Sequence, residues 1–128
     1  MTATLELELP GDNGAPAMAR RAVEERLDHG YDEEQTGTLL LLVTELVTNA
    51  VLHAGAPGSP VLLRVTVSTG SLRVEVHDRG PGFEMHKPKP RGASGGYGLF
   101  LVERMSDRWG VQRNETTYVW FELDRAGH

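Results

Sequence analysis

The chain has no cysteine among its 128 residues, which excludes disulfides as a scaffold and thiolates as metal ligands or nucleophiles. Long apolar runs are missing too. The longest wholly apolar stretch is Leu39–Val43, far short of the roughly 20 residues that cross a bilayer. Thr2 to Pro10 lacks the cationic start and apolar core of a secretory leader. These absences lead us to expect a cytoplasmic protein with no membrane contact. Positive charge is scarce: 13 Lys and Arg stand against 18 Asp and Glu, a formal net charge of −5. Direct nucleic-acid binding is therefore not expected, because it requires a basic face to displace counterions. Aromatic residues are few, at 6%.

What is present suits one soluble domain spanning 1–128. Apolar residues make up 39% of the chain, enough for a core at this length. No internal repeat or dividing linker is visible. Leu5, Leu7 and Leu9 alternate with polar residues, which predicts a short strand ended by Pro10. Pro16, Met18, Ala22 and Leu27 predict a helix closing near Gly30. Asp32 is a good N-cap, with Glu33 and Glu34 in the first turn where the helix dipole favours anions. From there Leu39, Leu42, Val43, Leu46, Val47 and Ala50 recur at three- and four-residue steps, marking the buried stripe of a helix running to about Ala54.

Val61, Leu63, Val65 and Val67 alternate, as do Leu72, Val74 and Val76, with Thr69-Gly70-Ser71 between them. This predicts an antiparallel hairpin with one buried face. A loop follows Asp78, then a short helix from Tyr97 to about Ser106. Trp109–Arg113 and Tyr118–Leu123 read as a closing hairpin, and residues 124–128 as a loose tail. The order β-α-α-β-β-α-β-β predicts an α+β protein: a two-layer α/β sandwich whose mixed, largely antiparallel sheet carries helices on one face.

Chemistry concentrates at three places. Glu45, Asn49 and His53 are spaced i, i+4, i+8 and form one line along the long helix. A carboxylate and a carboxamide one turn apart suit a hard cation that keeps other ligands from water or phosphate. The carboxylate could instead take a proton from an attacking hydroxyl. The plainer alternative is a solvated helix face, with His53 favoured near a C-terminus by the dipole. Next, Asp78-Arg79-Gly80-Pro81-Gly82 ends a strand with two glycines that allow close approach of a ligand and an acid able to accept from an exocyclic amine; the same stretch is also an ordinary turn. Finally, Gly92-Ala93-Ser94-Gly95-Gly96-Tyr97-Gly98 opens a helix, where glycine amides can cradle phosphate oxygens or merely form a flexible link. Neither a dinucleotide fingerprint nor a P-loop is present. Lys87, Lys89 and Arg91 form a cationic cluster between the two glycine segments of an acidic chain.

Together these segments resemble the motifs of the GHKL (Bergerat-fold) ATPases and kinases. Glu45 to His53 resembles the N-box, Asp78 to Phe83 the G1 box, and Gly96-Tyr97-Gly98-Leu99 the G2 box, in matching order over nearly the whole chain. Within that superfamily Glu45–Ala50, Gly98–Val102 and Trp109-Gly110-Val111 resemble the bacterial anti-sigma factor serine/threonine kinases. The resemblance implies ATP and Mg²⁺ as cofactors, with Glu45 as general base and Asn49 on the metal. It implies that Asp78 reads the adenine amine, that Gly80 and Gly82 shape the base pocket, and that Gly96, Gly98 and Leu99 close the triphosphate end. His53 and Thr117 complete the nucleotide-binding set, and residues 84–95 would be the ATP lid. One departure touches the adenine contact: Tyr118 stands where relatives place a Thr before an apolar pair, so Thr117 serves through a shifted register or that contact is missing. The implied partners are a sigma factor and an anti-sigma antagonist protein, with a homodimer possible. The activity expected is ATP-dependent serine/threonine phosphotransfer regulating transcription; the alternative is a non-catalytic nucleotide-dependent binding module of the same fold.

Overall fold

Alternating apolar residues put every second side chain on one face of a strand, and here those faces line up into a single sheet. A computed structural model describes residues 3–27, 31–53, 58–78, 97–113 and 117–125. The elements are β1 (Ala3–Gly11), α1 (Ala15–Arg26), α2 (Glu33–His53), β2 (Gly58–Val67), β3 (Ser71–Asp78), α3 (Tyr97–Met105), β4 (Arg108–Arg113) and β5 (Thr117–Asp124), in the expected order. The strands form one sheet in the order β1-β2-β3-β5-β4, and all four pairings are antiparallel. The protein is thus an α+β sandwich.

The inner face of the sheet is supplied by Leu9, Val61, Leu63, Val65, Leu72, Val74, Val76, Val119, Phe121 and Leu123, all in one core cluster with the helices. Above it lies α2, whose Leu39, Leu42, Val43, Leu46, Val47 and Ala50 are each at most 1% exposed. Each of those leucines contributes ~1.5–3 kcal/mol by leaving water. By length and composition α2 could cross a membrane, but its apolar stripe is spent on the sheet. Asp32 caps the helix through its Oδ1, which accepts the Gln35 N–H at 2.8 Å.

Three expectations need correction. In α1 the buried face is Ala15, Ala19 and Val23, whereas Met18 is 39% exposed. Small residues at i, i+4, i+8 let this helix lie close against its neighbour, and the larger Met18 is left outside. The helix ends at Arg26, with Leu27 already extended. Pro10 does not end the first strand: β1 continues to Gly11, with a register shift between Leu9 and Gly11. An edge strand tolerates a residue without an N–H at such an irregularity. Gly11 is required there, since a Cβ would lie 2.2 Å from the Ser59 carbonyl oxygen. Of the expected loose tail, Asp124 closes β5, while Arg125 donates its N–H to the Gly70 carbonyl at 2.9 Å and sits over the Tyr31 ring.

Candidate functional site

Two contacts fix the direction of α2 over the sheet, and with it the position of its polar line. The Gln35 side-chain Nε2 donates to the Asp124 carbonyl at 2.8 Å. Since Ser71 pairs with Asp124, the start of α2 lies at that end of the sheet. Near its other end, Thr48, Val51 and Leu52 share a cavity of about 170 Å³ with Asp12, Asn13 and Pro16. These follow Gly11, which pairs with Gly58 beyond the Leu9–Val61 pair. Val61 in turn pairs with Asp78, and Asp78 with Thr117. The half of α2 carrying Glu45, Asn49 and His53 therefore lies toward the end of the sheet where β3 runs out at Asp78.

On that half the polar line turns gradually inward, because a four-residue step advances about 40° beyond a full turn. Glu45 is half-buried and Asn49 is only 6% exposed. Among the described residues just three polar or charged side chains are buried: Asn49, Glu75 and His77. The last two belong to one hydrogen-bonded network, and Asn49 lies outside it. A buried carboxamide beside a half-buried carboxylate is a hard-oxygen pair, which suits Mg²⁺ held mainly by phosphate. Among the described residues no group of three or more His, Cys, Asp or Glu could hold a metal by itself.

The third helix meets the same flank of α2. Met105, at its C-terminal end, borders a cavity of about 270 Å³ with Gln35, Thr38 and Asp124, while Leu99 and Val102 pack into the core. Its first turn, with Gly98 and Leu99, is therefore directed away from the Asp124 end. Leu99 is 4% exposed and fastens that turn to the core. Glu45, Asn49, the backbone of His53, the Asp78–Thr117 pair and the start of α3 thus lie toward one end of the molecule. Gly80, Gly82 and Gly96, the 84–95 lid and the Lys87, Lys89 and Arg91 cluster lie outside the described residues.

The outer face of the sheet carries a charge network that sequence reading missed. Glu6 pairs with Arg64 at 2.6 Å, Arg64 with Glu75 at 3.3 Å, Arg73 with Glu75 at 3.0 Å and with Glu122 at 3.1 Å, and Arg108 with Glu122 at 2.6 Å and with Asp124. The chain of pairs crosses all five strands. Burial alone would raise the Glu75 carboxyl, but hydrogen bonds from Arg73 and His77 outweigh it and hold the group below the usual carboxylate range. Arg108 holds Glu122 low as well, against a smaller opposing effect of burial, and lowers Asp124. His77 Nε2 lies 2.8 Å from Glu75 Oε1, and its ring stacks on Tyr118 with centroids 4.2 Å apart. The only sequence signal for this network was the polar half of each alternating strand.

The chain belongs to the histidine kinase-like ATPase domain family, whose profile matches residues 9–123. It is also 36% identical over 74 residues to an uncharacterized protein of Streptomyces coelicolor, a match covering 56% of this chain and 70% of that protein. Membership implies ATP as the ligand of this fold.

Proposed function

We propose that this chain is an ATP- and Mg²⁺-dependent protein-serine/threonine kinase of the anti-sigma type. It phosphorylates an anti-sigma antagonist protein, sequesters a sigma factor and so regulates transcription in the cytoplasm. The observation that carries the reading is the Glu45–Asn49 pair: one turn apart, half-buried and buried, at the end of the sheet where Asp78 and Thr117 pair.

In this reading Asn49 would hold the metal through its carboxamide oxygen, and Glu45 accepts the proton of the acceptor hydroxyl. That hydroxyl oxygen forms a bond to the γ-phosphorus while the bond to the β–γ bridging oxygen breaks and ADP leaves. Mg²⁺ held there would supply positive charge to the phosphoryl oxygens. Asp78 accepts a hydrogen bond from the adenine amine between Gly80 and Gly82, and Gly96, Gly98 and Leu99 close over the phosphates. Thr117 pairs directly with Asp78 in the ladder. This adjacency supports the shifted-register reading, with Thr117 sharing the adenine contact.

The test is incubation of purified protein with γ-labelled ATP, Mg²⁺ and a candidate antagonist. Label on a Ser or Thr of the antagonist is expected, along with ATP binding that weakens when Mg²⁺ is chelated. Tight ATP binding with no transfer to any antagonist would replace the kinase reading with a nucleotide-dependent binding module. Phosphate release without a protein acceptor would mark a plain hydrolase.

A further inference from the structure

Strand ends fray unless something fastens them, and the Asp78–Thr117 pair is the last rung of its ladder. One rung earlier, on the outer face, His77 is paired with Tyr118 and their rings stack at 25°. His77 is 8% exposed and its Nε2 is bound to Glu75, itself 8% exposed and gripped by Arg64 and Arg73. Burying a carboxylate and an imidazole on the outer face of a sheet is costly. Apolar residues of similar size would hold two strands together at lower cost. What the polar cluster adds is direction: a carboxylate anchored through Oε2 to Arg73 and through Oε1 to Arg64 holds His77 Nε2, and the His77 ring in turn stacks on Tyr118. The two residues next in line are Asp78 and Thr117.

We propose that His77, held between Glu75 and Tyr118, is a positioning residue that sets the spacing of Asp78 and Thr117 and thereby the preference for adenine nucleotides, without touching the nucleotide. This rests on the reading that the Asp78 end of the sheet receives the base. The phosphate and metal side, on α2, is a separate element. A fault behind Asp78 therefore weakens base selection while leaving Mg²⁺-triphosphate binding in place.

The experiment measures Kd for Mg-ATP and Mg-GTP in the full chain, with thermal melts alongside, for Tyr118→Ala, Tyr118→Phe, His77→Ala and His77→Gln. For Tyr118→Ala and His77→Ala we expect the ATP-over-GTP preference to fall about tenfold, the weight of one well-placed hydrogen bond to the base. Tyr118→Phe keeps the ring and is expected to retain the preference. His77→Gln keeps a donor for Glu75 but not the ring, and is expected to fall between. An unchanged preference in Tyr118→Ala, or a fall in step with melting temperature that Tyr118→Phe shares, overturns the positioning role alone. A wild-type protein with no preference for ATP over GTP overturns the base-pocket reading and this proposal together.

Discussion

Gln35 and Asp124, 89 positions apart in the chain, are joined by a hydrogen bond from the Gln35 side-chain amide to the Asp124 carbonyl at 2.8 Å. This bond ties the first turn of α2 to the last residue of β5, so it orients the helix that carries Glu45 and Asn49. The amide's own oxygen, Oε1, is buried and has no hydrogen-bond partner among the described residues. Gln35→Ala should cost about 1 kcal/mol, the net worth of one such bond. Gln35→Glu should cost more, roughly 2–3 kcal/mol, because it turns the donor into a charged acceptor in a cavity already lined by Asp32, Glu34, Asp107 and Asp124. Urea unfolding of the two variants decides: equal losses would show that charge in the cavity has no weight.

Gly110 faces Trp120 across the β4–β5 pair, and the indole lies where a Cβ on Gly110 would sit, 2.8 Å from Nε1 and 2.9 Å from two ring carbons. The same ring is covered on its face by the Arg73 guanidinium, 4.1 Å from its centroid. It therefore cannot move aside freely. Gly110→Ala should destabilise by about 1–3 kcal/mol, as overpacking does. In a double-mutant cycle Trp120→Ala should remove most of that penalty. Additive losses would mean the strain lies in the backbone of β4.

The acidity of the outer-face network sets a pH dependence whose sign can be worked out. Glu75, Glu122 and Asp124 all have carboxyls held below their ordinary values in the folded protein. The unfolded chain therefore binds protons first as pH falls, and stability decreases. The contribution is fully present above the unfolded carboxyl values near pH 4.5 and is lost as pH drops through the lower folded ones. Urea midpoints should be flat from pH 7 to 5.5 and fall steadily below about 4.5. Glu75→Gln should lower the midpoint at neutral pH and flatten the acid limb; an unchanged acid limb would place the titration elsewhere.

How much of this was legible depended on whether a pattern was local. The stripe from Leu39 to Ala50 repeats within one helix, and the alternations in β2 and β3 repeat within one strand, so both could be read directly. The buried face of α1 was not legible, because Met18 carries more apolar surface than Ala15 or Ala19, yet close helix packing selects the small residues. The outer-face network was invisible because Arg73 meets Glu122, 49 positions away in the chain, only through the strand register. At the site, Glu45 and Asn49 were visible as an i, i+4 pair. That Asn49 is buried and Glu45 half-buried followed from the 40° drift of that line, and its direction depends on where the helix rests.

That drift is also why the two residues should fail differently. Asn49, at 6% exposure, has little room to be replaced by water, so Asn49→Ala leaves a small buried gap and no oxygen for a cation. We expect Mg²⁺-dependent ATP affinity to fall at least about tenfold, the scale of one lost charge-assisted contact, with the Mg²⁺-independent part unchanged. Glu45 is half-buried on the more open side of the line and caps no other group among the described hydrogen bonds. Glu45→Ala should therefore keep ATP affinity within about twofold while lowering phosphotransfer by about 10²–10⁴, the range of a lost general base. Isothermal titration with and without Mg²⁺, run beside transfer of label from γ-labelled ATP, separates the two. If Glu45→Ala transferred label at the wild-type rate, the proton would have to go elsewhere, and Glu45 would be reduced to a surface acid on α2. If both variants lost ATP binding together, the pair would act only as a unit of the pocket wall, and the division of labour between metal and base would be wrong.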